Sequence, residues 1–149
     1  MRIVIQRVTR ASVSIEGRVE SAIEKGMMVL LGVGYADTDD DIDWLVKKTI
    51  NLRIFDDSEG VMNLSVKDVE GSILVVSQFT LMASCKKGNR PSYIHAASPD
   101  VSVPLYERFC QRLSELLGKP VSTGVFGADM QVELVNDGPV TIVIDSKDK

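Results

Sequence analysis

The sequence predicts an α+β fold rich in strands, with two amphipathic helices, and three observations carry that expectation. Short aliphatic runs rich in β-branched residues and bounded by glycine recur from Arg2 to Val76 and again after Val121, as strands do. Two other segments place apolar residues three and four apart, the spacing of a helix face. The 149 residues, 44% hydrophobic and 26% charged, are ordinary for one globular domain spanning 1–149. A compact monomer of this size has about 7,500 Å² of surface, so a full core needs no staples.

Arg2 to Val8 reads as a strand, Ala11 to Ile15 alternates small or polar with apolar residues, and Gly17 offers a hairpin turn toward Val19. Met27 to Leu31, framed by Gly26 and Gly32, has the composition of a buried strand. The N-terminal run is too short for a signal-peptide core, and no apolar run approaches the ~20 residues of a membrane helix. The expectation is a cytoplasmic protein with no membrane partner. Cys85 and Cys110 fit no disulfide framework or zinc spacing, so both are taken as reduced thiols, Cys110 in a helix core.

Ile42, Leu45, Val46, Thr49 and Ile50 mark the first helix, which Thr38 and Asp41 open as a capping box. The acids from Asp37 to Asp43 suit the positive end of its dipole. A calcium loop there would need glycine where Ile42 stands and glutamate where Lys48 stands, so no metal is expected. Leu52 to Phe55 returns to strand and Asp56 to Gly60 is a turn cluster.

Ile73 to Val76, entered from Gly71, reads as a strand buried on both faces. Its exit, Ser77-Gln78-Phe79-Thr80 before Leu81, brings polar groups deep, where they must find partners or face a ligand. Ala83 to Ser98, with Gly88 and Pro91, is a long loop of the kind that often carries function. Val103-Pro104-Leu105 opens the second helix, with Leu105, Phe109, Leu113, Leu116 and Leu117 on one face, and Gly118 and Pro120 stop it. Val121 to Phe126, Met130 to Val135 and Val140 to Ile144 are the last strands. The final two are expected to form a hairpin through Asn136-Asp137-Gly138-Pro139, with Pro139 at a strand start or edge.

The usual catalytic signals are missing. A single His95 lies in the loop, with no metal-ligand spacing, phosphate loop or nucleophile elbow, and no cofactor is implied. Thr80 as a nucleophile would need an adjacent base, which Ser77 and Gln78 are not. The net charge of -4 with a pI near 5.0 argues against a protein that coats DNA or other long nucleic acid. It leaves room for reading one short RNA end with local cations such as Arg7, Arg10, Lys86, Lys87 and Arg90. The residues alone therefore leave open a binding module for an RNA end or small ligand, and a threonine-dependent amidase or esterase.

Five blocks in register carry a resemblance: Gln6-Arg7-Val8 with Ala11-Ser12-Val13, Ser77-Gln78-Phe79-Thr80-Leu81, Gly88-Asn89-Arg90-Pro91-Ser92, Ala128 to Val132, and Asn136 to Thr141. Together, from Met1 to about Ile144, the chain resembles the D-aminoacyl-tRNA deacylases. The resemblance implies a homodimer of β-barrel-like subunits with the two helices outside. It also implies hydrolysis of the ester between a D-amino acid and the 3′ end of tRNA, which keeps D-residues out of protein. Ser77, Gln78, Phe79 and Thr80 would form the catalytic floor. Gly138 and Pro139, joined by a cis bond, would enter the partner's pocket and reject L-amino acids. Arg7, Arg90, Met130 and Gln131 are candidate contacts to the tRNA end.

Overall fold

The computed structural model describes Met1–Lys149. Strand β1 (Arg2–Ile15) is its spine. It turns through Glu16 and Gly17, both at positive φ (51° and 77°), into β2 (Arg18–Ile23), the two-residue hairpin that Gly17 predicts. Strand β3 (Gly26–Gly32) lies antiparallel on the N-terminal half of β1, while β2 takes the C-terminal half.

Helix α1 (Asp39–Asn51) and a small ribbon, β4 (Phe55–Asp56) with β5 (Met62–Leu64), lead into β6 (Ser72–Ser77). Strand β6 is parallel to β3, Met27 standing opposite Ile73. A parallel neighbour needs a crossover, which α1 supplies. Gly26 permits the approach, since a Cβ there would lie 1.8 Å from the Ser72 carbonyl oxygen. A 3-10 turn (Phe79–Met82) and helix α2 (Pro99–Leu117) form the next crossover, to β7 (Ser122–Thr123), parallel to β6. Strand β8 (Gln131–Asp145) then runs antiparallel along the other edge of β1. The outcome is a mixed sheet nearly closed into a barrel, with both helices packed against it.

Side chains on β6 divide between two cores. Ile73 and Val75 join Leu45, Phe109 and Leu113 beneath the helices, and Leu74 and Val76 join Val8, Val13 and Met28 on the opposite face. The strand is buried on both sides, as its aliphatic run predicts. No helix is long and apolar enough to cross a membrane.

The expected capping box is present: Asp41 accepts from the Thr38 N–H at 2.8 Å. The neighbouring acids hold the helices together, Asp39 accepting from Arg108 at 2.8 Å and Asp43 from Arg112 at 2.6 Å. Helix α2 begins at Pro99 rather than near Val103. Ser98 is its N-cap and Pro99 needs no N–H partner in the first turn, while the exposed Pro104 sits inside the helix and forgoes one bond. The strands expected over Leu52–Phe55 and Val121–Phe126 shrink to two residues each.

The largest departure is at Asn136 to Pro139, where no hairpin forms. Both halves of β8 pair with β1, Asn136 opposite Val8 and Thr141 opposite Gln6. Residues 137–140 thus bulge out opposite Arg7 alone. Strand β1 is long enough to pair with both halves, and the Arg7 side chain fills the concavity of the bulge, so the local turn signal is overridden. Pro139, unable to donate to a ladder, sits where a bulge leaves its nitrogen unpaired.

Candidate active site

The last rung of β6 is the Gln78 N–H, which donates to the Leu31 carbonyl at 2.8 Å. From there the chain coils, Leu81 N–H to Gln78 carbonyl at 3.2 Å and Ala83 N–H to Thr80 carbonyl at 3.1 Å. The N–H groups of Phe79 and Thr80 open this turn, where the first donors of a helix have no partner within it. Gln78 Nε2 donates to Thr80 Oγ1, and no base touches that hydroxyl. Phe79, 55% exposed, meets Tyr93 edge to face with ring centroids 5.1 Å apart.

Behind this turn lies a cavity of about 290 Å³. Ser77, Gln78 and Phe79 form one wall, Ser102 and Tyr106 of α2 another, and Phe126 and Met130 a third. The buried Tyr106 hydroxyl donates to the Val75 carbonyl at 3.0 Å, tying α2 to β6, and its ring stands edge-on to Phe126 at 5.8 Å. Burial pushes that hydroxyl up, so it stays protonated. Burial likewise pushes the nearby Cys110 thiol up to about 12, so no thiolate forms there. Apart from Tyr106, Asp129 is the one titratable side chain lining the cavity. Gly124 leaves room for Met130, whose Sδ would be 2.4 Å from a Cβ at that position.

The Gly138–Pro139 bond is cis, and both residues are exposed, outside the cavity of their own chain. Arg7 lies beneath them, only 7% exposed. Its Nε donates to the Asp137 carbonyl at 2.9 Å, and its Nη1 to the Ile54 carbonyl at 2.7 Å and to Asp56 Oδ1 at 3.3 Å. Asn136 Oδ1 closes the bulge by accepting from the Val140 N–H at 2.8 Å.

The structure thus groups Ser77, Gln78, Phe79 and Met130 around one cavity, with Thr80 just outside it. Gln131 is exposed at the start of β8, and Arg90 is exposed in the 83–98 loop. Arg7 is turned inward, and His95 lines a different cleft. The sequence reasoning did not single out Ser102, Tyr106 or Phe126. Ser102 and Tyr106 stand one turn apart on α2, a polar pair beside an apolar face that could have marked a helix wall facing a cavity.

Residues 4–145 match the family model described as D-Tyr-tRNA(Tyr) deacylase. Proteins named D-aminoacyl-tRNA deacylase are 66% identical in Bacteroides fragilis and 64% identical in Porphyromonas gingivalis, in each case over 100% of this chain and 99% of the relative. A solved structure titled c-Myc DNA Unwinding Element Binding Protein superposes with a TM-score of 0.93 at 42% identity, covering 97% of this chain and 98% of that one. A second, titled a probable eukaryotic D-amino acid tRNA deacylase, shares the fold with a TM-score of 0.82 at 20% identity, over 96% and 97% of the two chains. The chain belongs to the D-Tyr-tRNA(Tyr) deacylase family.

Proposed function

We propose that the protein hydrolyses the ester of D-aminoacyl-tRNA, releasing the D-amino acid and free tRNA, and so proofreads chirality in translation. The observation that carries this is the pair of first-turn N–H groups at Phe79 and Thr80 beside a nucleoside-sized apolar cavity, in a chain that matches the family over residues 4–145.

The terminal nucleoside enters the cavity between Phe126 and Met130, with Gln131 at its rim and Arg90 nearer the incoming strand. The ester carbonyl is then held at the 3-10 turn. Water attacks the carbonyl carbon, and its oxygen gains negative charge that the Phe79 and Thr80 N–H groups stabilise. The bond to the ribose 3′ oxygen breaks, and that oxygen takes up the proton the water gives off. The adjacent ribose 2′-hydroxyl orients the water, so the protein contributes position and electrostatics more than acid–base groups. Thr80 shapes the pocket and accepts from Gln78; with no base against it, it is not the nucleophile.

Selectivity comes from a second subunit. The isolated chain exposes 8399 Å², about 900 Å² more than a compact monomer of its mass. In the homodimer, Gly138 and Pro139 of each chain face the ester in the other. Their carbonyls collide with an L side chain and leave room for hydrogen, which excludes by clash rather than by grip. Such a filter passes glycine, so glycyl-tRNA is also a substrate and D-amino acids are accepted broadly.

Deacylation of matched D- and L-aminoacyl-tRNAs by the purified protein tests this reading; similar rates on both isomers would refute it. Thr80→Ala is expected to retain substantial activity. Complete loss, with a covalent adduct trapped on the wild type, would favour a threonine nucleophile instead.

A further inference from the structure

A second and larger cleft, of about 640 Å³, lies on the far side of the 3-10 turn. Met82 to Lys86 form one wall, Gly34 to Asp37 another, and Arg2, Asp145 and Lys147 its base. The two cavities share a boundary. Gly34, which lines the larger, bridges to Ala96, while Val33 and Ala97, which line the smaller, are joined by an N–H to carbonyl bond of 2.9 Å.

The charges in this cleft are not balanced. Asp145 is held by Arg2 Nε and Nη2 at 3.0 and 2.9 Å, and Asp37 accepts from the Gly34 N–H at 2.6 Å and from the Met1 amino group. Lys147 rests on Asp41 at 2.9 Å and stays half exposed. Lys86 is exposed and has no carboxylate partner, and Lys87 and Arg90 follow on the same loop. Tyr35, 58% exposed, offers a flat apolar face in the same cleft. An acidic protein therefore carries a local cationic hollow with an exposed aromatic ring in one wall, next to its candidate active site. Cations along a groove beside an exposed ring are what single-stranded nucleic acid requires, because phosphates need charge and every base has a face to stack.

We propose that this cleft holds the single-stranded nucleotides immediately 5′ of the aminoacylated one, a base stacking on Tyr35 and its phosphate facing Lys86. The inference rests on the deacylase reading for its substrate. It adds a second subsite, which makes turnover depend on the length of the RNA end and not on the terminal nucleoside alone.

The test compares the full D-aminoacyl-tRNA with the matching D-aminoacyl-adenosine ester, in wild type and in Lys86→Ala, Tyr35→Ala and the double variant. The ratio of kcat/KM on tRNA to that on the adenosine ester is expected to fall about tenfold in the double variant. The salt dependence of KM for tRNA should flatten by about 0.7 in logarithmic slope with Lys86→Ala, the effect of one lost phosphate contact. An unchanged ratio overturns the proposal. In parallel, a fluorescein-labelled trinucleotide, cytidine-cytidine-adenosine, is titrated against each protein. Weaker binding by both single variants supports the cleft, and equal binding overturns it, even in a protein that hydrolyses neither ester. Failure of the wild type on both esters would instead strike at the deacylase reading.

Discussion

Gly124 decides where Met130 sits, although it touches no substrate. A methyl group there would meet the Met130 sulfur at 2.4 Å and push it toward the cavity behind the 3-10 turn. Gly124→Ala is expected to raise KM for D-aminoacyl-tRNA about tenfold, with little change in kcat. Steady-state kinetics check this, and adding Met130→Ala should restore part of the loss by vacating the crowded space. Arg7 acts in the same indirect way on Gly138 and Pro139. Its guanidinium spans the Asp137 and Ile54 carbonyls and the Asp56 carboxylate, a fork that an ammonium does not reproduce. Arg7→Lys should cost about 1–3 kcal/mol of stability. It should also raise hydrolysis of L- relative to D-aminoacyl-tRNA, measured as the ratio of kcat/KM values; an unchanged ratio would show that the bulge keeps its aim without the fork.

Among the elements, α1 is the most fully specified by its own residues, and its cap carries a pH signature. Burial pushes the Asp41 carboxyl up, but hydrogen bonds from Ser146, Lys147 and the Thr38 N–H outweigh it and hold the group well below the usual carboxylate range. A depressed folded pKa gives stability that is complete above the unfolded value, about 4, and is lost as pH falls through the folded value. Asp41→Asn should therefore cost about 1–2 kcal/mol at pH 7. Its disadvantage should shrink below about pH 4, where the unfolded wild-type chain takes up a proton that the folded Asp41 carboxylate still refuses. Urea midpoints at pH 7 and pH 3 decide it, and an equal gap at both would mean that the charge contributes nothing. Strand β8 shows the opposite case. Asn136-Asp137-Gly138-Pro139 carries hairpin chemistry, yet a 14-residue β1 offers continuous pairing to both flanks, and the turn residues become a bulge.

At the level of the whole molecule, the site proposed above is divided between two chains, because Gly138 and Pro139 do not reach the cavity of their own chain. The outer face of β8 also leaves Val143 64% and Val135 39% exposed, apolar surface that an interface would cover. Sedimentation should give twice the 16.3 kDa chain mass. Met130→Trp fills the cavity and Gly138→Trp obstructs the neighbouring one, so each should be inactive alone. Co-refolding equal amounts should recover about a quarter of wild-type activity, since half the dimers then hold one intact site. A fully active monomer would rule out the shared site.

The sequence by itself determined the strands and helices whose signals are local: Ile73 to Val76 as a doubly buried strand, Thr38 and Asp41 as a cap, Gly17 as a turn. It also held the blocks that mark the family. Tertiary structure alone decided that β6 lies parallel to β3, that Tyr106 and Phe126 meet across a cavity, and that Asn136 to Pro139 bulges over Arg7. Local signals depend on residues within a turn of one another, which the chain order fixes. Cavities, pairing partners and bulges depend on contacts between residues tens of positions apart, and only the packed fold brings those together.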